Sequence, residues 1–248
     1  MPIPNERLIR EAAAFKREAS REFDRVVKAL LDLVWAKGKP SADFLFENDA
    51  DLDAEANAIL RAFSDSLAEK AKRRAEAIIR ASLDYYDFDE DWNQVDNVDE
   101  ATPLLWRFDM QGSHLKELLE IWIALAVVNN IGKSELRVMI SRYLNNPYAS
   151  PFWKGIPKDA LRWGRGYRKN ILDQIGVIGQ NAIIGAARFA EWDEERQKGA
   201  TYYIRRRGSN YDCPDCDSLC GYPIPIDEPF VFLHSNCCCW AEYFYDSL

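Results

Sequence analysis

The residues able to do chemistry are concentrated near one end of the chain. All six cysteines of its 248 residues fall within 28 positions, Cys213 to Trp240, and one of only two histidines, His234, sits among them. Cys213 and Cys216 form a C-x2-C pair, a spacing that lets two thiolates on a tight turn face one ion. An H-x2-C-x-C follows, with His234, Cys237 and Cys239. These five side chains are candidate ligands for one four-coordinate structural zinc per chain. Cys213, Cys216, His234 and Cys239 form the expected set, with Cys237 as the alternative fourth ligand. Cys239 is preferred because the extra residues give the chain more room to turn around the ion. If a strand opens at Cys237, then Cys237 and Cys239 share a face and Cys238 points to the other. Cys220 lies beyond the C-x2-C turn and is a spare.

Two other readings of the same residues stay open: small hydrophobes in a core, and a framework of three disulfides. The stretch from Met1 to Phe23 alternates charged and small residues and has no apolar run of the signal-peptide kind. A reducing compartment is therefore expected, which favours metal over disulfides. Four protein ligands close the coordination shell, so the site is structural, whereas a catalytic zinc keeps one position open.

Other catalytic material is scarce. The sequence has no Walker-type phosphate loop, no G-x-S-x-G elbow and no H-E-x-x-H. A zinc deaminase would need glutamate two residues after its histidine, and His234 is followed by Ser235 and Asn236. His114, beside Ser113, reads as an ordinary helix-start residue. No enzyme activity and no small-molecule substrate are expected. Asp87, Asp89 and Asp91 suggest a calcium loop, but Trp92 and Val98 stand where such a loop needs glycine and glutamate. The stretch from Asp84 to Glu100, with eight acidic and no basic residues, reads as a loop between subdomains or a contact for a basic partner.

Long helices must carry this cysteine-rich end. Phe15, Ala19, Phe23, Val27, Leu30 and Val34 recur at intervals of three and four, one apolar stripe on a helix from about Asn5 to Lys37 that Gly38 and Pro40 end. Ala56, Leu60, Phe63, Leu67, Ala71, Ala75, Ile78 and Ile79 repeat the pattern on a second helix from about Asp51 to Leu83. The two are expected to pack as an antiparallel hairpin. A third helix, capped by Ser113 and stopped by Gly132, is apolar on nearly every side and reads as central; a shorter one follows, capped by Ser134. A last long helix, from about Arg168 to Gln197, contains Gly176, Gly179 and Gly185, which suggest the close approach of another backbone. Strands are expected at Thr201 to Arg206, Phe230 to Leu233 and Trp240 to Tyr245.

The fold class is therefore mainly α with a small α+β C-terminal domain, in which a long helix packs on a small antiparallel sheet bearing the Cys/His site. The expected domains are an elongated helical region at 1–146, a linker at 147–157 and a C-terminal domain at 158–248. The formal charge of −8 belongs to the first hundred residues, with 15 basic and 23 acidic side chains, against 17 of each afterwards. An acidic chain is not a general polyanion binder. A local basic patch, Lys154, Lys158, Arg162, Arg165, Arg168 and Lys169, interleaved with Trp153, Trp163 and Tyr167, is a candidate contact for DNA or for an acidic protein face. The longest apolar run, Ile121 to Val128, is far below a membrane span.

The order "YYIRRRGSNYDCPDCDSLCGYPIPID", then "HSNCCCWAEYF", resembles the C-terminal domain of phage Mu F-like head-morphogenesis (minor head) proteins, over roughly Trp163 to Tyr245. Cys238 stands where that family usually has arginine, and Cys220 where it usually has aspartate. The resemblance implies a phage or prophage minor capsid protein that acts in head assembly near the portal. Its implied partners are portal, scaffold or capsid proteins and packaged DNA. Its implied location is the bacterial host cytoplasm during assembly and then the virion head. The alternative is a zinc-containing interbacterial toxin or nuclease-type effector related to head-morphogenesis domains.

Overall fold

The computed structural model describes residues 3–83, 104–145, 171–208, 213–230 and 238–246. The fold is mainly helical, with a small three-stranded antiparallel sheet near the C-terminal end. Helices α1 (Asn5–Ala36) and α2 (Ala50–Arg80) bury every residue of the two stripes read from the sequence. They are followed by α3 (Leu104–Val128), α4 (Lys133–Asn145) and α5 (Ile171–Gln197). Strand β1 (Tyr202–Arg206), the short helix α6 (Pro214–Leu219), β2 (Pro223–Pro225) and β3 (Trp240–Phe244) complete the described elements. Gly38, at φ +120°, and Gly199, at φ +92°, take left-handed conformations just past the ends of α1 and α5, where a side chain would be strained. Among the described residues no helix is long and apolar enough to cross a membrane.

Several local expectations are corrected. Ser113 lies inside α3, where its hydroxyl donates to the Asp109 carbonyl one turn back at 3.2 Å, a bond open to serine within a helix as well as at a cap. His114 is thus mid-helix, and burial lowers its imidazole pKa against the opposing charge of Glu117. Asn130, not Gly132, takes the left-handed turn after α3 (φ 53°), and the Ile131 N–H returns to the Ala126 carbonyl at 2.7 Å. The Gly132 carbonyl accepts the first bond of α4 from Leu136 at 2.9 Å, which makes Gly132 rather than Ser134 the cap. Helix α3 is not buried all round, since Ile121 and Val128 are 46% and 71% exposed.

The chain forms two compact units: one comprises Met1–Lys16, Ala68–Leu104 and Gly176–Leu248, the other Arg17–Leu67 and Leu105–Ile175. The expected linker, 147–157, lies outside the described residues.

The second unit is a helical bundle. Phe23 meets Phe63 edge-on at 6.0 Å and Lys37 reaches Asp49 at 3.6 Å, so α1 and α2 run antiparallel there. Helix α3 runs antiparallel to α2: Arg61 pairs with Asp109 at 2.9 Å, Lys116 with Asp53, and Glu120 accepts the Phe46 N–H at 2.9 Å. Asp32 of α1 holds Lys133 of α4 at 2.8 Å and also pairs with Lys28. Hydrogen bonds from Lys133 and Lys28 hold its carboxyl at about 2, below the ordinary 3.8. A depressed carboxylate contributes stability above its unfolded pKa and loses it as pH falls through its folded one, so this clamp should fail between pH 4 and 2. An NMR titration of the Asp32 carboxyl is expected to show the low midpoint, and Lys133→Ala to return it toward 3.8.

The first unit contains the sheet. Its order is β2-β1-β3, with Tyr203 opposite both Ile224 and Tyr243. Strand β2 was not expected from the sequence: it reads Pro-Ile-Pro, and proline is tolerated there because β2 is an edge. Phe230 is outside any strand, and the remainder of the expected Phe230–Leu233 strand lies beyond the described residues. Side chains, not backbone, approach Gly176 and Gly179 of α5. A Cβ at Gly179 would lie 1.9 Å from the buried Phe15 ring, and one at Gly176 3.1 Å from the Lys16 stem.

Candidate functional site

The sheet packs on α5 through one apolar cluster, Trp192, Tyr203, Cys216, Phe230, Cys239 and Ala241, with Cys213, Cys220, Ile224 and Tyr243 against it. Trp192 is locked by its indole N–H donating to the Ile226 carbonyl at 2.9 Å. Four of the six cysteines thus belong to this core.

Local sequence explains how they are presented. Cys213 is in extended conformation (φ −142°) at the N-cap of α6, and Pro214 supplies the fixed φ suited to the first helical position. The C-x2-C pair therefore opens a short helix and not a bare turn. Cys216 lies within that helix and Cys220 closes it, its N–H bonding the Cys216 carbonyl at 2.9 Å. Across the cluster, Cys239 directly precedes β3. The Cys239 and Cys216 sulfurs are 3.4 Å apart, and both residues are buried, at 2% and 3% exposure. Cys220 is within hydrogen-bonding reach of Cys239. Burial pushes its thiol up to about 11, the neighbouring Cys239 adds to the rise, and the Arg205 and Arg207 guanidiniums oppose it.

Two of the expected ligands, Cys216 and Cys239, are brought together, and Cys213 lies one turn away against the same cluster. A tetrahedral zinc with metal–sulfur bonds of about 2.3 Å separates its sulfurs by about 3.8 Å, whereas a disulfide needs about 2.05 Å. The observed 3.4 Å is no disulfide bond and is the distance of a contact between two free thiols. His234 and Cys237 lie outside the described residues, as does the whole basic patch, Lys154, Lys158, Arg162, Arg165, Arg168 and Lys169. Among the described residues no group of three or more histidine, cysteine, aspartate or glutamate side chains is arranged to hold a metal ion.

Cys220 is the residue that sequence reasoning set aside. The signal was present, since Cys216 and Cys220 are four apart and four residues is one helical turn, but it needed α6 to be recognised as a helix. Cys238, set apart from the metal set, is held by its backbone. Its carbonyl accepts from the Asn5 amide at 3.4 Å, and a Cβ on Gly208 would come within 1.6 Å of it.

Two arginines frame the centre. Arg205 of β1 is 2% exposed and stacks over the Phe230 ring at 4.1 Å. Arg207 pairs with Asp217 of α6 and donates to the Cys213 carbonyl at 3.4 Å. These cations oppose, without cancelling, the rise that burial imposes on the Cys220 thiol.

Comparisons with protein-family models, with curated proteins and with solved structures find no match.

Proposed function

We propose that this chain is a structural component of a phage or prophage head, a minor capsid protein acting in assembly near the portal, and that its cysteine centre fastens the fold and does no catalysis. The observation that supports a structural role is the meeting of Cys216 and Cys239. Thiols from the two halves of the cysteine-rich stretch touch inside an apolar cluster, where they join α6 to the start of β3. A buried position beside two arginines suits a closed zinc site, for which Cys213, Cys216, His234 and Cys239 are the proposed ligands, with Cys237 as the alternative to Cys239. The metal would supply cross-linking alone, and this chain's residues orient the thiolates and exclude water from them. The assembly role rests on the resemblance of the two motifs flanking this centre to head-morphogenesis domains. Portal, scaffold or capsid proteins are the proposed partners, and the patch from Lys154 to Lys169 is the proposed contact for DNA or an acidic partner face.

Particles purified from an induced lysogen that carries the gene should contain the chain at a few copies each, by quantitative mass spectrometry. Its absence from particles, or growth arrest on expression together with nuclease activity of the purified protein, would overturn the assembly reading in favour of an effector.

A further inference from the structure

The two edges of the sheet are built differently. Strand β2 forms one edge, and two of its three residues, Pro223 and Pro225, have no N–H to offer. Proline on an edge is a standard barrier to the addition of another strand. Strand β3 forms the other edge. It contains no proline, and among the described residues it pairs only with β1. Every second N–H and C=O of such a strand points away from its neighbour and is open to a further strand.

A cavity of about 510 Å³ lies along this open edge. Trp240, Ala241, Glu242, Tyr243 and Tyr245 all line it. Consecutive strand residues point to opposite faces, so a cavity touching all of them follows the edge of β3 and covers neither face alone. Its other lining residues are Glu191 and Glu195 on α5, Lys198 just past the end of that helix, and Leu83. Helix and strand edge thus form a groove with backbone on one side and, on the other, charged side chains together with Leu83.

The charges indicate what fits. Three carboxylates, Glu191, Glu195 and Glu242, and one ammonium, Lys198, line the groove, with Lys198 paired to Glu195 at 3.1 Å, so the lining as a whole remains acidic. Arg188 and Arg206, which pair with Glu191 and Glu242, are not part of the lining. Glu195 also accepts from the Tyr245 hydroxyl, and this bond, with burial, pushes that phenol up to about 12 and keeps it neutral. An anionic strand would meet like charge here, and a basic one opposite charge.

We propose that the β3 edge is a docking groove for an extended, basic segment of a partner protein, which adds to the sheet as a fourth strand beside β3 and directs its cationic side chains at Glu195 and Glu242. Main-chain bonds to the edge supply affinity, and the carboxylates select the sign of charge. This inference is independent of the metal reading.

The test uses the full chain and two seven-residue, end-capped peptides, one alternating valine and lysine, the other valine and glutamate. Amide hydrogen exchange followed by NMR should show slowed exchange at β3, Trp240 to Phe244, on addition of the lysine peptide. The glutamate peptide should bind at least about tenfold more weakly. Glu195→Gln and Glu242→Gln should each weaken the lysine peptide while leaving the exchange pattern of the free protein unchanged, which separates lost binding from lost folding. The proposal is overturned by unchanged β3 exchange at millimolar lysine peptide, or by equal binding of the two peptides. Concentration-dependent protection of β3 without peptide would also overturn it, by assigning the edge to a second copy of this chain.

Discussion

Cys216→Ser is expected to unfold the sheet and α6, and the size of the loss identifies what holds the thiols. Structural zinc contributes roughly 10–16 kcal/mol in small domains at neutral pH, comparable to the whole stability of an ordinary domain, about 5–15 kcal/mol. If Cys216 and Cys239 are zinc ligands, loss of either thiolate should abolish slow amide exchange in β1 and β3, and a strong chelator should do the same to the unmutated chain. If they are only a buried thiol pair, serine exchanges one weak hydrogen-bonding group for another, at a cost of about 1 kcal/mol. Elemental analysis of protein purified under reducing conditions should find about one zinc per chain. No metal, together with three disulfides after purification in air, would establish the disulfide framework instead. Cys220→Ser separates roles within the centre. Cys220 is in reach of Cys239 but is outside the proposed ligand set, so its replacement should leave the zinc content unchanged and lower the melting temperature only slightly.

Arg188→Ala should be the most damaging substitution away from the cysteines. Arg188 and Glu191 are each 2% exposed and their charged atoms are 2.5 Å apart. The same arginine donates to the Ile3 carbonyl at 3.1 Å and to the Asn5 side chain, while Glu191 accepts the Ile3 N–H. This buried pair ties the first residues of the chain to α5. Removing one member leaves the other as a buried, uncompensated charge, at about 3–5 kcal/mol, or roughly 10 °C in melting temperature for a protein of this size. Replacing both, as Arg188→Met with Glu191→Leu, should cost less than the single change, because burying an ion pair carries a large desolvation penalty of its own. Burial already lifts the Glu191 carboxyl above the ordinary range despite the attraction of Arg188. A raised folded-state pKa means that the folded form binds the proton more tightly. The deficit of Arg188→Ala should therefore be largest at neutral pH and shrink as pH falls toward the ordinary carboxylate range. Thermal melts of both variants at several pH values measure this directly, and a deficit that grows on acidification would show that Glu191 is not the stranded charge.

The amino-acid sequence by itself determined the two long N-terminal helices, because their signal is local and repeated. In α1 and α2 each apolar residue at intervals of three and four is buried in the fold, and tertiary contacts had only to match a stripe already written. It also determined which end of the chain carries the cysteines, and that Cys213 and Cys216 are held close by spacing alone. What the tertiary structure decided depends on partners distant in the chain. Cys239 faces Cys216 because β3 pairs with β1 in one register, and no local pattern specifies that register. Gly179 is required by the ring of Phe15, and Arg188 by the backbone of Ile3, residues near the opposite end of the chain. Strand β2 was concealed because Pro-Ile-Pro is a poor strand by propensity and is acceptable only at an edge, a property that exists once the sheet is assembled. Ser113 shows the same division at the scale of one turn. As a residue type it suits a cap, but α3 already runs from Leu104, and there its hydroxyl bonds back to the helix instead.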